Sequence, residues 1–300
     1  MTIDTLHADE FAINDTLVQQ LIALQCPQWS TLTLNRLSTS GTDNVIYRLG
    51  EQMLIRLPRT PEAVERTIKE QQWLTKLAPL LPLPISAPLA TGISSVIYPA
   101  VWSVFPWLSG ETADQATVLD EVSIAIQLAD FIAAMHGLDA QDGPPPGTHN
   151  FYRGVALAER DEETRAAIAE LANDMDTHAA IVVWDRALQA DPWQGSPVWI
   201  HGDLLPTNIL IEQGKISAII DFGGLGVGDP ACDLIPAWSL FSGQAREVFR
   251  QRLGVDEDTW LRGQGWALSI GLIALPYYRV TNTTLASIAT KMIAQVLSSQ

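Results

Sequence analysis

Two short apolar runs, Ile209-Leu210-Ile211 and Ile216 to Ile220, flank Gln213-Gly214. β-Rich runs on either side of a glycine-containing turn predict a hairpin. Such a hairpin constrains more than its own residues. It brings His201-Gly202-Asp203-Leu204-Leu205-Pro206-Thr207-Asn208 at its entrance close to Asp221-Phe222-Gly223 at its exit, with Asn208 and Asp221 at neighbouring strand ends. Taken singly, Asp203 and Asp221 read as turn carboxylates that brace loops. Taken together, seven specified residues (His201, Asp203, Leu204, Asn208, Asp221, Phe222 and Gly223) in one order around one hairpin call for a chemical explanation.

Spelled as a pattern, these residues read H-x-D-L-x-x-x-N followed by D-F-G, the order found in kinase catalytic loops. Phosphoryl transfer needs few protein parts: a carboxylate near the attacking hydroxyl and oxygen ligands that hold magnesium against the phosphates. Asp203 can supply the first, and Asn208 and Asp221 the second, because Mg²⁺ prefers hard oxygen donors and keeps waters and substrate phosphates in its remaining positions.

Composition removes competing classes. The 300 residues include 18 Lys and Arg against 34 Asp and Glu, a net charge of −16, so the basic face a nucleic-acid binder needs is not expected. The imbalance is local. Residues 1–108 carry 7 basic and 9 acidic side chains, and residues 109–300 carry 11 and 25. Cys26 and Cys232 lack metal-ligand spacing and read as reduced thiols. The acidic start, Asp4, Asp9 and Glu10 among the first ten residues, does not look like a signal peptide. No apolar stretch reaches the roughly 18 residues of a bilayer span. A cytoplasmic enzyme without membrane or nucleic-acid partners is the expectation.

Val45 to Leu49 and Met53 to Leu57 predict a hairpin closed by Gly50-Glu51-Gln52. Thr60-Pro61-Glu62 then opens a helix to about Leu77, with Ala63, Glu70, Leu74 and Leu77 on one stripe. Val96 to Leu108 predicts further strands broken by Pro99 and Pro106. Leu119 to His136 and Glu159 to Ala172 predict helices, as does the chain after Asp233. The expected class is α+β: a small strand-rich N-terminal lobe (residues 1–108) and a larger helical C-terminal lobe (109–300).

The stretch His201 to Asn208, then Ile220-Asp221-Phe222-Gly223, then Gly228-Asp229-Pro230-Ala231-Cys232-Asp233-Leu234, resembles the aminoglycoside phosphotransferase family, small-molecule kinases with a two-lobed, protein-kinase-like fold. A protein kinase usually has arginine where Gly202 stands and a longer activation segment ending in A-P-E; neither is present. The resemblance assigns the N-terminal lobe to nucleotide binding and the C-terminal lobe to catalysis with acceptor binding, and it implies Asp203 as catalytic base and Asn208 and Asp221 as magnesium ligands. His201 reads as an orienting core histidine, His136 as structural, and Asp229 and Asp233 as capping and loop-bracing acids.

It also implies a cation for the nucleotide phosphates, commonly a strand lysine paired with a helix glutamate. Here the strand offers Arg56, which keeps the charge but aims it differently. Its expected partner is Glu70, an inward carboxylate that is costly to bury without a cation. Arg48, Arg59 and Arg66 are rivals. Ser40, Gly41 and Thr42 are candidates for the loop over the phosphates. Val104 to Gly110 falls where the resemblance places the hinge, with adenine read by the Pro106 carbonyl and the Leu108 N–H, since proline has no donor.

The implied reaction moves the γ-phosphoryl group of ATP, with GTP as the other candidate donor, to a hydroxyl of a small molecule. An aminoglycoside-like antibiotic leads, because an acidic lobe attracts a cationic acceptor. The helix start at Glu159, Asp161, Glu162 and Glu163 and the cluster Asp256, Glu257 and Asp258 are the candidate donors of that charge. Alternatives are a kinase for an amino alcohol, sugar or macrolide, or a catalytically silent nucleotide-binding protein.

Overall fold

The computed structural model describes residues 10–37, 43–117 and 120–299. The chain divides into two compact units, Met1–Leu80 with Pro84–Ser109, and Leu81–Leu83 with Gly110–Gln300. As expected, the class is α+β, with a strand-rich unit preceding a helical one.

The first unit runs α1 (Asp15–Gln25), β1 (Leu34–Arg36), β2 (Asn44–Leu49), β3 (Met53–Pro58), α2 (Pro61–Leu77), β4 (Ala90–Gly92) and β5 (Trp102–Pro106). Its strands form one antiparallel sheet in the order β1-β2-β3-β5-β4. Val45, Tyr47 and Leu49 alternate into the core at the strand period of two. The β2–β3 hairpin turns at residues 50–52, where Gly50 has φ +58. Helix α2 begins where its cap predicts: Thr60 Oγ1 accepts the Ala63 N–H, and Ala63, Glu70, Leu74 and Leu77 are all buried.

The strands expected over Val96 to Leu108 shrink to β5. Ser95 N–H donates to Tyr98 O at 2.7 Å, which closes a turn and leaves Val96 in solvent. Tyr98 instead enters the core, its hydroxyl donating to Pro58 O at 2.6 Å. The three-residue β4 carries no sequence signal long enough to read.

The second unit contains β6 (Glu111–Thr112), α3 (Glu121–His136), α4 (Asp161–Glu170), α5 (Thr177–Gln189), β7 (Val198–Ile200), β8 (Ile209–Glu212), β9 (Lys215–Ile219), β10 (Gly226–Gly228), α6 (Pro236–Ser239), α7 (Gly243–Leu253), α8 (Glu257–Tyr278) and α9 (Thr283–Leu297). Leu128, Phe131 and Ile132 of α3 and Trp266 and Leu268 of α8 are fully buried. The helix expected from Glu159 is a 3-10 turn to Arg160 followed by α4, and α5 was not anticipated. The β8–β9 hairpin is present, and its Gln213 and Gly214 have φ 51 and 74, the paired left-handed values of a type I′ turn. Among the described residues no helix is long and apolar enough to cross a membrane, and both cysteines are buried and unbridged.

Candidate active site

Strand β7 ends at Ile200, where it pairs with Gly226 of β10, and so delivers His201 to the interior. His201 Nε2 lies 3.1 Å from Ile220 O and Nδ1 accepts the Asp203 N–H at 3.2 Å. That pair of bonds requires the neutral ring with its proton on Nε2, a bridge between the two motif halves rather than a proton carrier. Phe222 packs against this ring at 4.4 Å between centroids.

Asp233, fully buried, accepts the His201 N–H at 2.9 Å and the Gly202 N–H at 2.8 Å, and lies 3.3 Å from His136 Nε2. It therefore acts as the expected loop brace. Asp229 caps the turn that follows, accepting the Ala231 N–H at 2.9 Å, and forms a buried ion pair with Arg262 at 2.7 Å. Gly202 has φ +78, and a Cβ there would stand 2.5 Å from Gly224 O and 3.0 Å from Arg153 Cβ. The backbone thus excludes the side chain that protein kinases carry at this position.

Asn208 donates from Nδ2 to Asp203 O at 2.8 Å and to Asp203 Oδ2 at 3.0 Å. Both amide hydrogens serve Asp203, which leaves Oδ1 as the atom of this side chain able to take a metal. Ile220 N–H donates to Asn208 O at 2.9 Å, so the hairpin sets Asn208 beside the Asp221 loop. Asp221 is exposed, with φ 60, an uncommon backbone for a non-glycine residue, and its Oδ1 receives only a long 3.4 Å bond from Gly223 N–H. These two oxygen donors fit magnesium. Among the described residues no group of three or more His, Cys, Asp or Glu is placed to hold a metal, so such an ion would rely on waters and phosphates for its other ligands.

Burial pushes the Asp203 carboxyl above its ordinary range. Arg153 opposes that rise, Asp221 adds to it, and the Asn208 bond pulls against it. Arg153 is the residue sequence reasoning missed: no motif marks it, and only the fold brings it to Gly202.

In the strand-rich unit Arg56 Nη1 lies 3.4 Å from Glu70 Oε2, with the guanidinium 5.3 Å from the Phe105 ring centre. The rival arginines are engaged elsewhere. Arg48 stacks on Trp107 and bonds the Gly50 carbonyl, Arg59 pairs with Glu10, and Arg66 with Asp43. Pro106 ends β5, Trp107 N–H closes onto Gln52 O at 2.7 Å, and Leu108 follows the ladder. Ser40, Gly41 and Thr42 lie outside the described residues.

A carboxylate steadied by an amide and two hard oxygen donors at adjoining strand ends are the parts that phosphoryl transfer needs. The pattern of the phosphotransferase enzyme family matches residues 34–266, and the chain belongs to that family, as the motif led us to expect. Among curated relatives, an aminoglycoside 3'-phosphotransferase of Escherichia coli is 26% identical over 167 residues, 52% of this chain and 59% of the relative. The uncharacterized protein YcbJ of Bacillus subtilis is 29% identical over 121 residues, 38% of this chain and 37% of its own length. The chain thus spans less than two thirds of these relatives. Among solved structures, the GDP complex of wild-type aminoglycoside 2'-phosphotransferase-IIIa superposes with a TM-score of 0.70 at 17% identity, covering 95% of this chain and 99% of that one. The macrolide 2'-phosphotransferase MphH from Brachybacterium faecium gives 0.62 at 22% identity, covering 93% and 97%. At these identities the likeness is one of fold.

Proposed function

We propose that this chain is a nucleoside-triphosphate-dependent kinase that phosphorylates a hydroxyl of a small molecule. The observation that carries this reading is the bidentate hold of Asn208 on Asp203, 2.8 Å to its carbonyl and 3.0 Å to its carboxylate, beside Asp221 across the hairpin. Asp203 accepts the acceptor's proton while the hydroxyl oxygen bonds to the γ-phosphorus. The bond from that phosphorus to the bridging oxygen breaks, and its electron pair leaves with the nucleoside diphosphate. Asn208 Oδ1 and the Asp221 carboxylate would hold Mg²⁺, which when bound would neutralise charge on the phosphates. Arg56, oriented by Glu70, binds phosphate oxygens, and the Pro106 carbonyl and Leu108 N–H read adenine. Ser40, Gly41 and Thr42 keep their proposed place over the phosphates. The GDP and ADP complexes among similar folds support nucleotide use, with ATP as the proposed donor. A cytoplasmic location is part of the same reading.

The relatives' names support an aminoglycoside-like acceptor. A specific observation favours a second reading, in which the acceptor is not a polycation. The acids expected to draw one in are largely committed to protein groups. Asp161 binds Arg165 at 2.8 Å, Glu163 lies 3.4 Å from Arg160, Asp256 caps α8 through Thr259 N–H, and Glu257 pairs with Arg250. The leading charge acting on Asp203 is the cation Arg153.

A coupled ADP-release screen of the purified chain with Mg·ATP, run against aminoglycosides, macrolides, amino alcohols, sugars and hydroxy acids, tests the proposal. Acceptor-dependent release that Asp203→Asn abolishes is expected. Nucleotide binding without release on any acceptor would make the chain a silent binding protein.

A further inference from the structure

Arg153 is held in place by an unusually constrained segment. Gly147 N–H donates to Asn150 Oδ1 at 2.9 Å, and Asn150 Nδ2 donates to Arg153 O at 3.0 Å. Tyr152 N–H returns to Gly147 O at 2.9 Å. Asn150 is fully buried, yet the two residues that follow it are half exposed, Phe151 at 49% and Tyr152 at 51%, with φ 56 and 55. Consecutive left-handed residues without glycine are strained, and strain of this kind gathers where a fold positions a working group. Gly154 then locks the segment down: a Cβ there would stand 2.7 Å from Ile200 Cδ1, and its carbonyl accepts the Asp229 N–H at 2.9 Å. Arg153 is thereby pinned to β7 and β10, the strands that flank the motif.

The charge so placed acts on the Asp203 carboxyl without forming an ion pair with it. No ion pair to Arg153 occurs among the described residues, and its Nε is a buried donor without a hydrogen-bond partner. A second cation stands near it. Arg160, 7% exposed, lies 5.0 Å from the Trp266 ring centre, and Arg153 lies 5.9 Å from the same ring. Burial, and after it the charge of Arg153, bring the Arg160 guanidinium down to about 10. Arg160 is satisfied by Ser269 at 3.0 Å and by Glu163, which leaves Arg153 as the open cation. In a chain of net charge −16, a guanidinium beside the proposed base with no ion-pair partner among the described residues can take an anion from outside.

We propose that Arg153 is an acceptor-binding residue that receives a carboxylate, and that the half-exposed residues just before it in the chain, Phe151 and Tyr152, receive an apolar ring of the same molecule. The acceptor is then an aromatic or similarly apolar hydroxy acid whose hydroxyl, close to its carboxylate, faces Asp203. A guanidinium suits this role because it binds a carboxylate through two parallel donors. The role of the hydroxyl rests on the kinase reading above; the carboxylate site does not.

Calorimetric titration of the full chain with 3-phenyllactate, 3-phenyllactamide and phenylalaninol separates the two. These share one ring and one hydroxyl and differ in carrying a carboxylate, a neutral amide or an ammonium group. The acid is expected to bind about 10-fold or more tighter than the amide, the range of a charge-assisted hydrogen bond, and phenylalaninol most weakly. Arg153→Gln should erase the preference for the acid, weakening the acid far more than the amide. Tyr152→Ala, at an exposed site, should weaken acid and amide alike and guards against misfolding of the arginine variant. Equal affinity for acid and amide, an acid preference that survives Arg153→Gln, or a preference for phenylalaninol or kanamycin would overturn the proposal. So would an Arg153→Gln variant that lowers turnover of every acceptor equally, which would assign the arginine to the transferred phosphoryl group. If the acid binds as expected but no acceptor releases ADP, the carboxylate site stands and the kinase reading falls.

Discussion

The two units hold their key side chains by different means. In the strand-rich unit Arg56 has the Glu70 carboxylate 3.4 Å away and the Phe105 ring beside it. In the helical unit Asp203 sits in a mesh of backbone and side-chain bonds from His201, Asn208 and, through the preceding residues, Asp233. A cation proposed to bind phosphates acts through its charge, whose effect falls off gradually with distance. A base that must meet a hydroxyl within hydrogen-bond reach needs its position over-determined. The contrast predicts that perturbations in the helical unit are costly and sharp, whereas those at Arg56 are graded.

The largest effect is expected at Asp233. Asp233→Ala strips the acceptor from two buried N–H groups, each worth about 1–3 kcal/mol when left unsatisfied, so unfolding in urea should show a loss on the order of 3 kcal/mol together with lost turnover. A loss below about 1 kcal/mol would mean that water replaces the carboxylate freely.

Glycine substitution separates strain from collision. Gly202 and Gly214 have nearly the same φ, +78 and +74, but a Cβ on Gly214 meets nothing within 4 Å whereas one on Gly202 meets Gly224 O at 2.5 Å. Gly214→Ala should cost about 1–2 kcal/mol of stability from the left-handed backbone alone, with turnover retained. Gly202→Ala should cost more and abolish turnover. Equal costs would show that the second motif half yields to the added methyl.

Smaller still is the coupling of Arg56 to Glu70. A double-mutant cycle on Mg·ATP affinity, read by calorimetry, should give about 0.5–3 kcal/mol. Strict additivity would pass the phosphate role to another arginine.

How legible all this was follows from range in sequence. The β8–β9 hairpin, the β2–β3 hairpin and helix α2 were readable because their signals are local: Gln213-Gly214, Gly50 to Gln52, and the Thr60 cap before Pro61. The family resemblance was readable because its residues lie within 34 positions of one another, from His201 to Leu234. Arg153 was not, since it meets Gly202 only through packing across 49 residues, and Phe151 and Tyr152 adopt left-handed backbone with no glycine or asparagine to announce it. Val96 to Tyr98 has the composition of a strand, but the Ser95 turn prevails over propensity. The acid-rich segments showed their charge but not their pairing with Arg165, Arg160 and Arg250, which cannot be read from a run of acids.

The central claim, that the helical unit holds a phosphoryl-transfer base, is tested most directly by Asp203→Asn. With an acceptor found in the ADP-release screen, turnover at saturation should fall by ~10²-fold or more, while calorimetry shows Mg·ATP affinity close to that of the unmodified chain. Turnover near the unmodified rate would contradict the assignment and return Asp203 to the role of a loop brace.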